Sequence, residues 1–510
     1  MRGRLAIAVS AALVVSALPT YAQAEPEPRL NQAIADQTIT WSACAEFEGL
    51  ECGTFQAPFD WRKPDDGRTV TIAVSRLRPK NGQAKGSVLT NPGGPGGPGR
   101  ILPLLYTGRA KLVDNMEIIG IDPRGTGAST NVTCGGFDWL GLADPRDRSR
   151  ANTELIYDAA ELQATACQTL SGEFGRVVNT EQTVRDLDLL RQLLGREKIN
   201  WIGYSGGSWM GAYYATYFPN RVDKFVLDSN TDFTSTFQDI FDNFGYGFER
   251  RFRTDFLPWV ARYDSLYHLG TTAEQVRQAY ETTRAKLAAD PLTLPDGTLV
   301  NGVLLDSVLF RAQYSKLLFA DAAATLASLD QATKTGVTAL AQLPAALAQY
   351  PDAQNGTLFA ITCNDTKFKH NRATLAAEAE RLGRQYPLIG YYQVLAPCAF
   401  WDRPQLELKK PTGKGVPPVL MVQSVRDPAT PLEGAQRAHR NFEGSRLLTV
   451  TDEGDHGVYG FGNACVDDIV EAFIVDGKVP PKDLTCPGMP LPDPTAPAAA
   501  TTPMLVGWPL

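Results

Sequence analysis

Ile199-Asn200-Trp201-Ile202-Gly203-Tyr204-Ser205-Gly206-Gly207-Ser208-Trp209 is the stretch from which the rest of the chain can be read. Its first six residues form a buried-strand run, and residues 208–218 carry a helical pattern. The G-x-S-x-G sequence 203–207 therefore stands where a strand turns sharply into a helix. The glycines have a steric reason, because side chains flanking the serine would clash in so tight a turn. A serine held there exposes its hydroxyl, which makes Ser205 the candidate nucleophile.

Strand and helix alternate outward from this turn. Strands are expected at 70–74, 86–90, 116–121 and 224–227, with a helix at 180–194 that stops at Gly195. Strand signals return at 418–423 and 447–450, and a closing helix is expected at 466–473. This alternation predicts a mostly parallel central sheet flanked by helices. Residues 230–404 read differently, with long helical periods at 271–289 and 320–343, many aromatics and few strand runs. They are expected to form a mainly helical cap. The resulting division is 25–229 and 405–486 as the two parts of the core, 230–404 as the cap, and 487–510 as a flexible Pro-, Ala- and Thr-rich tail.

A serine hydroxyl is a weak nucleophile and needs a base, usually histidine, aligned by a carboxylate. Of the four histidines (His268, His370, His439 and His456), His456 lies in Gly454-Asp455-His456-Gly457, after the last predicted strand. Asp427 follows the preceding strand in Arg426-Asp427-Pro428-Ala429-Thr430-Pro431. The chain order of serine, acid and histidine is that of the α/β-hydrolase fold, and all three residues leave strand ends at one sheet edge. The neighbouring Asp455 cannot easily face the ring, and Thr430 is placed to steady the Asp427 loop. An oxyanion needs two backbone donors. Gly206 supplies one, and Gly94 in the loop Asn91-Pro92-Gly93-Gly94-Pro95-Gly96-Gly97-Pro98-Gly99 is the expected second, with Gly93 as the alternative, since Pro92, Pro95 and Pro98 have no N–H. That loop lacks the spacing of a phosphate-binding motif.

The chain has 510 residues. Residues 1–24 read as a signal peptide: a basic start at Arg2 and Arg4, an apolar run, and Ala22-Gln23-Ala24 as the cleavage pattern. Export follows as an expectation, with no membrane anchor, because no later stretch of 18 apolar residues exists and position 25 is Glu. Removing those 24 residues leaves 47 basic against 56 acidic residues, a net charge of −9 that disfavours nucleic acid as a partner. The histidine spacing gives no metal pair, so neither metal nor other cofactor is expected. Eight cysteines in an exported chain imply disulfides, for which sequence alone allows 105 connectivities. Pairing neighbours closes the shortest loops: Cys44 with Cys52, Cys134 with Cys167, Cys363 with Cys398, and Cys465 with Cys486.

Taken together with Asp122-Pro123-Arg124-Gly125-Thr126-Gly127, these motifs make the chain resemble the secreted tripeptidyl aminopeptidases of actinomycetes, within the proline-iminopeptidase-like hydrolases. The resemblance spans most of 35–486 and rests on the ordered set. It departs from proline iminopeptidases at Pro92, where those enzymes carry the His of His-Gly-Gly-Pro-Gly. It implies an enzyme that releases N-terminal tripeptides from peptides with a free amine, with an exported carboxylesterase or lipase, or a prolyl aminopeptidase, as alternatives; separately, a monomer acting on peptide substrates is expected. An inactive binding protein is a further alternative, disfavoured by the intact triad. Recognition of an ammonium calls for carboxylates on the cap or its hinges, and the candidates are Asp239, Asp242, Glu249 and Asp365.

Overall fold

A computed structural model describes residues 30–137, 143–294, 297–335, 351–369 and 371–496. The expected signal peptide, His370 and the end of the 320–343 helical period lie outside them. Among the described residues no helix is long and apolar enough to cross a membrane.

The main sheet has ten strands: β1 (Ser42–Ala43), β2 (Glu51–Pro58), β3 (Thr69–Leu77), β4 (Ser87–Asn91), β5 (Glu117–Asp122), β6 (Ile199–Tyr204), β7 (Val222–Asp228), and, after a small β8 (Leu292–Thr293) and β9 (Leu299–Val300) hairpin in the insertion, β10 (Val419–Ser424), β11 (Arg446–Thr451) and β12 (Leu484–Pro487). Their order is β1-β2-β3-β5-β4-β6-β7-β10-β11-β12. The first pairings, out to β3 with β5, are antiparallel, and every pairing from β5 through β12 is parallel. This is the α/β-hydrolase fold. The central strands β4, β6 and β10 are buried at every residue, as expected of parallel strands covered by helices on both faces.

Two apolar layers sandwich the sheet. On one face Trp201, Trp209, Tyr214, Phe225 and Met421 pack under helices Thr180–Leu193 and Gly206–Tyr217. On the other, Val88, Ile118, Ile202, Val226 and Val422 pack under helix Ala464–Asp476. The insertion has its own core, built on Phe248, Phe252, Phe256, Trp259 and Tyr280. The aromatics of its first helices are therefore chiefly packing residues. The insertion is not wholly separate, because Phe359 and Ile361 from helix Asp352–Asp365 join the layer of the main sheet.

Four disulfides join Cys44–Cys52, Cys134–Cys167, Cys363–Cys398 and Cys465–Cys486. The first residues of the expected tail, 487–492, are docked on the rest of the chain. Pro487 O accepts from Asn463 Nδ2, Gly488 N donates to Thr451 O, and Pro492 O accepts from Trp259 Nε1 at 2.7 Å. Docking of this segment satisfies buried polar groups of both the core and the insertion, which holds it down despite its composition.

Candidate active site

Strand β6 ends at Tyr204, and the next residue, Ser205, takes φ 54° and ψ −121°, a strained conformation for a residue other than glycine. The helix starts immediately at Gly206, two residues earlier than the sequence pattern suggests. There is no room for side chains around the turn. A Cβ on Gly203 would lie 2.4 Å from Gly207 O, and one on Gly207 would lie 2.7 Å from Asn91 O.

The glycine-rich loop after β4 lies directly on this elbow. Gly93 adopts φ 101°, and a Cβ there would sit 2.4 Å from Tyr204 O and 2.7 Å from Gly206 N. Gly93 N donates to Asn91 Oδ1 at 2.9 Å, so it is already engaged. Gly94 N lies 3.2 Å from the position a Cβ on Gly206 would take, which brings the backbones of Gly94 and Gly206 side by side. As the first residue of its helix, Gly206 has an N–H with no acceptor inside the helix. The far end of the loop is fixed by Asp122, whose carboxylate accepts from Gly99 N at 2.8 Å, Arg100 N at 3.0 Å and Arg100 Nε at 2.9 Å. Nothing in the spacing of Asp122-Pro123-Arg124-Gly125-Thr126-Gly127 points to this role, which depends on a loop more than 20 residues away in sequence.

Asp427 and His456 meet with both side chains fully buried. His456 Nδ1 lies 2.9 Å from Asp427 Oδ1 and 3.0 Å from Oδ2. Asp427 Oδ1 also accepts from Ala429 N at 3.0 Å and Thr430 N at 2.8 Å, so the loop Asp427–Thr430 folds back on its own carboxylate. Thr430 Oγ1 stands 3.4 Å from His456 Nδ1. The ring is further fixed by Tyr314, which packs edge-on at 5.5 Å and whose main-chain O accepts from His456 N at 2.9 Å. His456 Nε2 is buried and makes no hydrogen bond among the described residues. Asp455 faces away, toward Arg251 and Lys316.

The candidate amine-binding carboxylates divide. Asp365 is buried, and its two oxygens take Thr180 N at 2.9 Å and Thr180 Oγ1 at 2.5 Å. It serves the start of helix Thr180–Leu193 and is withdrawn as an amine ligand. Glu249 is also withdrawn: it is buried between Arg253 Nε and Leu388 N. Asp242 borders a narrow crevice with Phe241, Phe368 and Leu382, where burial, with Glu378 and Asp239 nearby, pushes its carboxyl up to about 6. Asp239 lines a cavity of about 270 Å³ between the start of the insertion and helix Leu432–Asn441. Asp232, Glu433, Asn230 and Tyr246, none singled out from sequence, line it too, as do Thr430 and Arg437.

A serine at a strained strand-to-helix turn and a buried Asp–His pair, both at the carboxyl edge of a parallel sheet, define a serine hydrolase of the α/β-hydrolase fold. Comparison with known proteins narrows the class. A family model described as TAP-like protein matches residues 386–486. The tripeptidyl aminopeptidase of Streptomyces lividans is 35% identical over 470 residues, 88% of this chain and 86% of that protein. Serine protease Hip1 of Mycobacterium tuberculosis is 26% identical, over 90% of this chain and 92% of its own. Carboxylesterase B of the same organism is 28% identical, over 92% and 95%. The chain belongs to the tripeptidyl aminopeptidase family.

Proposed function

We propose that the protein is an exported serine exopeptidase that releases tripeptides from the free N-termini of peptides. The observation that carries the reading is the buried Asp427–His456 pair, in a chain that is 35% identical to a tripeptidyl aminopeptidase. In this reading Ser205 Oγ attacks the carbonyl carbon of the third residue while His456 Nε2 takes its proton. Asp427 keeps the Nδ1–H tautomer and stabilises the imidazolium. The oxyanion is held by Gly94 N–H and Gly206 N–H. His456 then gives its proton to the leaving amine, and water repeats the sequence on the acyl-enzyme.

An enzyme that counts three residues must hold the ammonium about 10 Å from the bond it cuts. The cavity at the start of the insertion offers Asp232, Asp239 and Glu433 for this. It also borders Asn230, whose Oδ1 is buried without a hydrogen-bond partner among the described residues. Arg437 pairs with Asp232 and Arg250 with Glu433, so the cavity's negative charge is only partly balanced. Four disulfides support an oxidising, extracytoplasmic destination.

The test is hydrolysis of a tripeptide anilide with a free amine, its N-acetylated twin and a short-chain aryl ester, by the parent protein and Ser205→Ala. Fast cleavage of the free-amine substrate alone, lost by about 10⁴-fold or more in the variant, is the expected result. Preference for the ester would shift the reading to a carboxylesterase, and activity surviving in Ser205→Ala would end it.

A further inference from the structure

The exit of β7 holds a buried carboxylate that the proposed chemistry does not use. Asp228 closes that strand with no exposed surface, and among the described residues no lysine or arginine pairs with it. Its oxygens are filled by neighbouring N–H and O–H groups instead. Oδ2 accepts from Tyr459 N at 2.7 Å and Val458 N at 3.1 Å, and Oδ1 accepts the Ser229 hydroxyl at 3.2 Å. The Ser229 hydroxyl in turn accepts from Gly457 N at 2.7 Å. All three N–H groups that follow His456 are thus held by two consecutive residues. On its other side, Asp228 main-chain O accepts from Ser205 N at 3.0 Å.

Such an arrangement opposes folding on two counts. A carboxylate without a cationic partner loses its hydration on burial, and burial pushes this one up to about 6 despite the hydrogen bonds it accepts. Ser229 adds strain, with φ 52°, while its N–H is tied to Val422 O at 3.0 Å on β10. Tyr204 supplies a parallel tie, since its hydroxyl donates to Tyr459 O at 2.9 Å. Desolvation and strain are concentrated where the nucleophile turn and the histidine loop come together.

We infer that Asp228 and Ser229 are positioning residues that set the spacing of Ser205 and His456, gripping the nucleophile's backbone and the histidine loop from a single strand end. The inference rests on the serine and histidine assignments proposed above. The two buried acids divide the work: Asp427 orients the ring, and Asp228 locates the loop that carries it.

Asp228→Asn keeps the shape but leaves one acceptor oxygen where the carboxylate has two, so its NH2 faces either the Val458 and Tyr459 N–H groups or the Ser229 hydroxyl, which then stops donating to residue 228. The expected result is a fall in kcat of about 30- to 100-fold with KM changed less than about threefold. The rate at which a fluorophosphonate modifies Ser205 should fall in step, with the thermal midpoint little changed. Ser229→Ala, which removes only the Gly457 contact and the hydroxyl donated to Asp228, should lower kcat about fivefold. A merely structural role would reduce the number of titratable serines but leave kcat per titrated serine intact, and that result overturns the inference. So does a kcat within about threefold of the parent. Should Asp228→Asn fail to fold, Ser229→Ala decides, and an unchanged kcat there overturns it. A parent protein unreactive at Ser205 would remove the nucleophile assignment and this inference together, whereas a reactive parent with unaffected variants overturns the positioning role alone.

Discussion

Asp365 shows how one residue can look like a ligand in sequence and act as a structural acid in the fold. Burial pushes its carboxyl up to about 7, against hydrogen bonds from Thr180 and Trp209 that lower it. The protonated form is thus favoured in the folded protein. Stability from this group is fully present below about pH 4 and is lost as pH rises toward 7, after which it stays level. Asp365→Asn removes the titration, keeps an acceptor for Thr180 N, and replaces Oδ2, which accepts from Thr180 Oγ1, by an amide that donates to that hydroxyl instead. Its thermal midpoint relative to the parent should therefore climb between about pH 4 and pH 7, by an amount worth up to ~4 kcal/mol, and then level off. Thermal unfolding of both proteins at several pH values checks this, and a difference that shrinks with rising pH would contradict it.

At the scale of elements, Arg124 binds three segments at once. Its guanidinium has no exposed surface and meets Asp186 through Nε and Nη2, both at 2.7 Å. It also donates to Pro58 O at 3.1 Å, Phe59 O at 3.0 Å and Val177 O at 3.3 Å. The end of β2, the turn after β5 and helix Thr180–Leu193 are locked by this one side chain. Arg124→Met leaves Asp186 buried and unpaired and should cost about 3–5 kcal/mol in denaturant unfolding, and Arg124→Lys should not restore it because lysine lacks the planar fork. Strand β6 and the Ser205 turn were legible in sequence because local spacing dictates them. Strand β2 was not, since Glu51–Pro58 has a weak apolar pattern and gains its place by pairing residue for residue with β3. The helical segment Arg150–Arg176, broken at Gly172 (φ 54°, ψ −135°), was not legible either: besides Tyr157, Cys167 and Phe174 it buries mainly small or polar residues such as Ala160, Ala164 and Gln163. Asp228 directly follows the expected strand 224–227, and nothing in that local pattern marks it. Its partners Val458 and Tyr459 lie 230 and 231 residues away, a proximity that only the fold creates.

Over the whole molecule, the helical insertion does not sit on the core as an independent lid, because it grips the histidine loop. Lys316 Nζ lies 2.6 Å from Glu453 Oε2, and Lys316 N donates to Asp455 Oδ1 at 2.8 Å. The buried Arg251 pairs with Asp455, and Asp255 of the same segment meets Arg426 Nε at 2.8 Å, one residue before Asp427. Insertion and core should consequently unfold together. Lys316→Met leaves Glu453 buried without its cation and should destabilise by about 3–5 kcal/mol. Adding Glu453→Gln removes the stranded charge and should recover part of that loss, so the two substitutions should show a coupling of about 1–3 kcal/mol in a double-mutant cycle. The cycle is measured by denaturant unfolding followed both by fluorescence and by loss of Ser205 labelling. If the two probes separate in Lys316→Met, with labelling lost first, the grip on the histidine loop is what the ion pair supplies; additive substitutions with coincident transitions would mean that insertion and core are joined elsewhere.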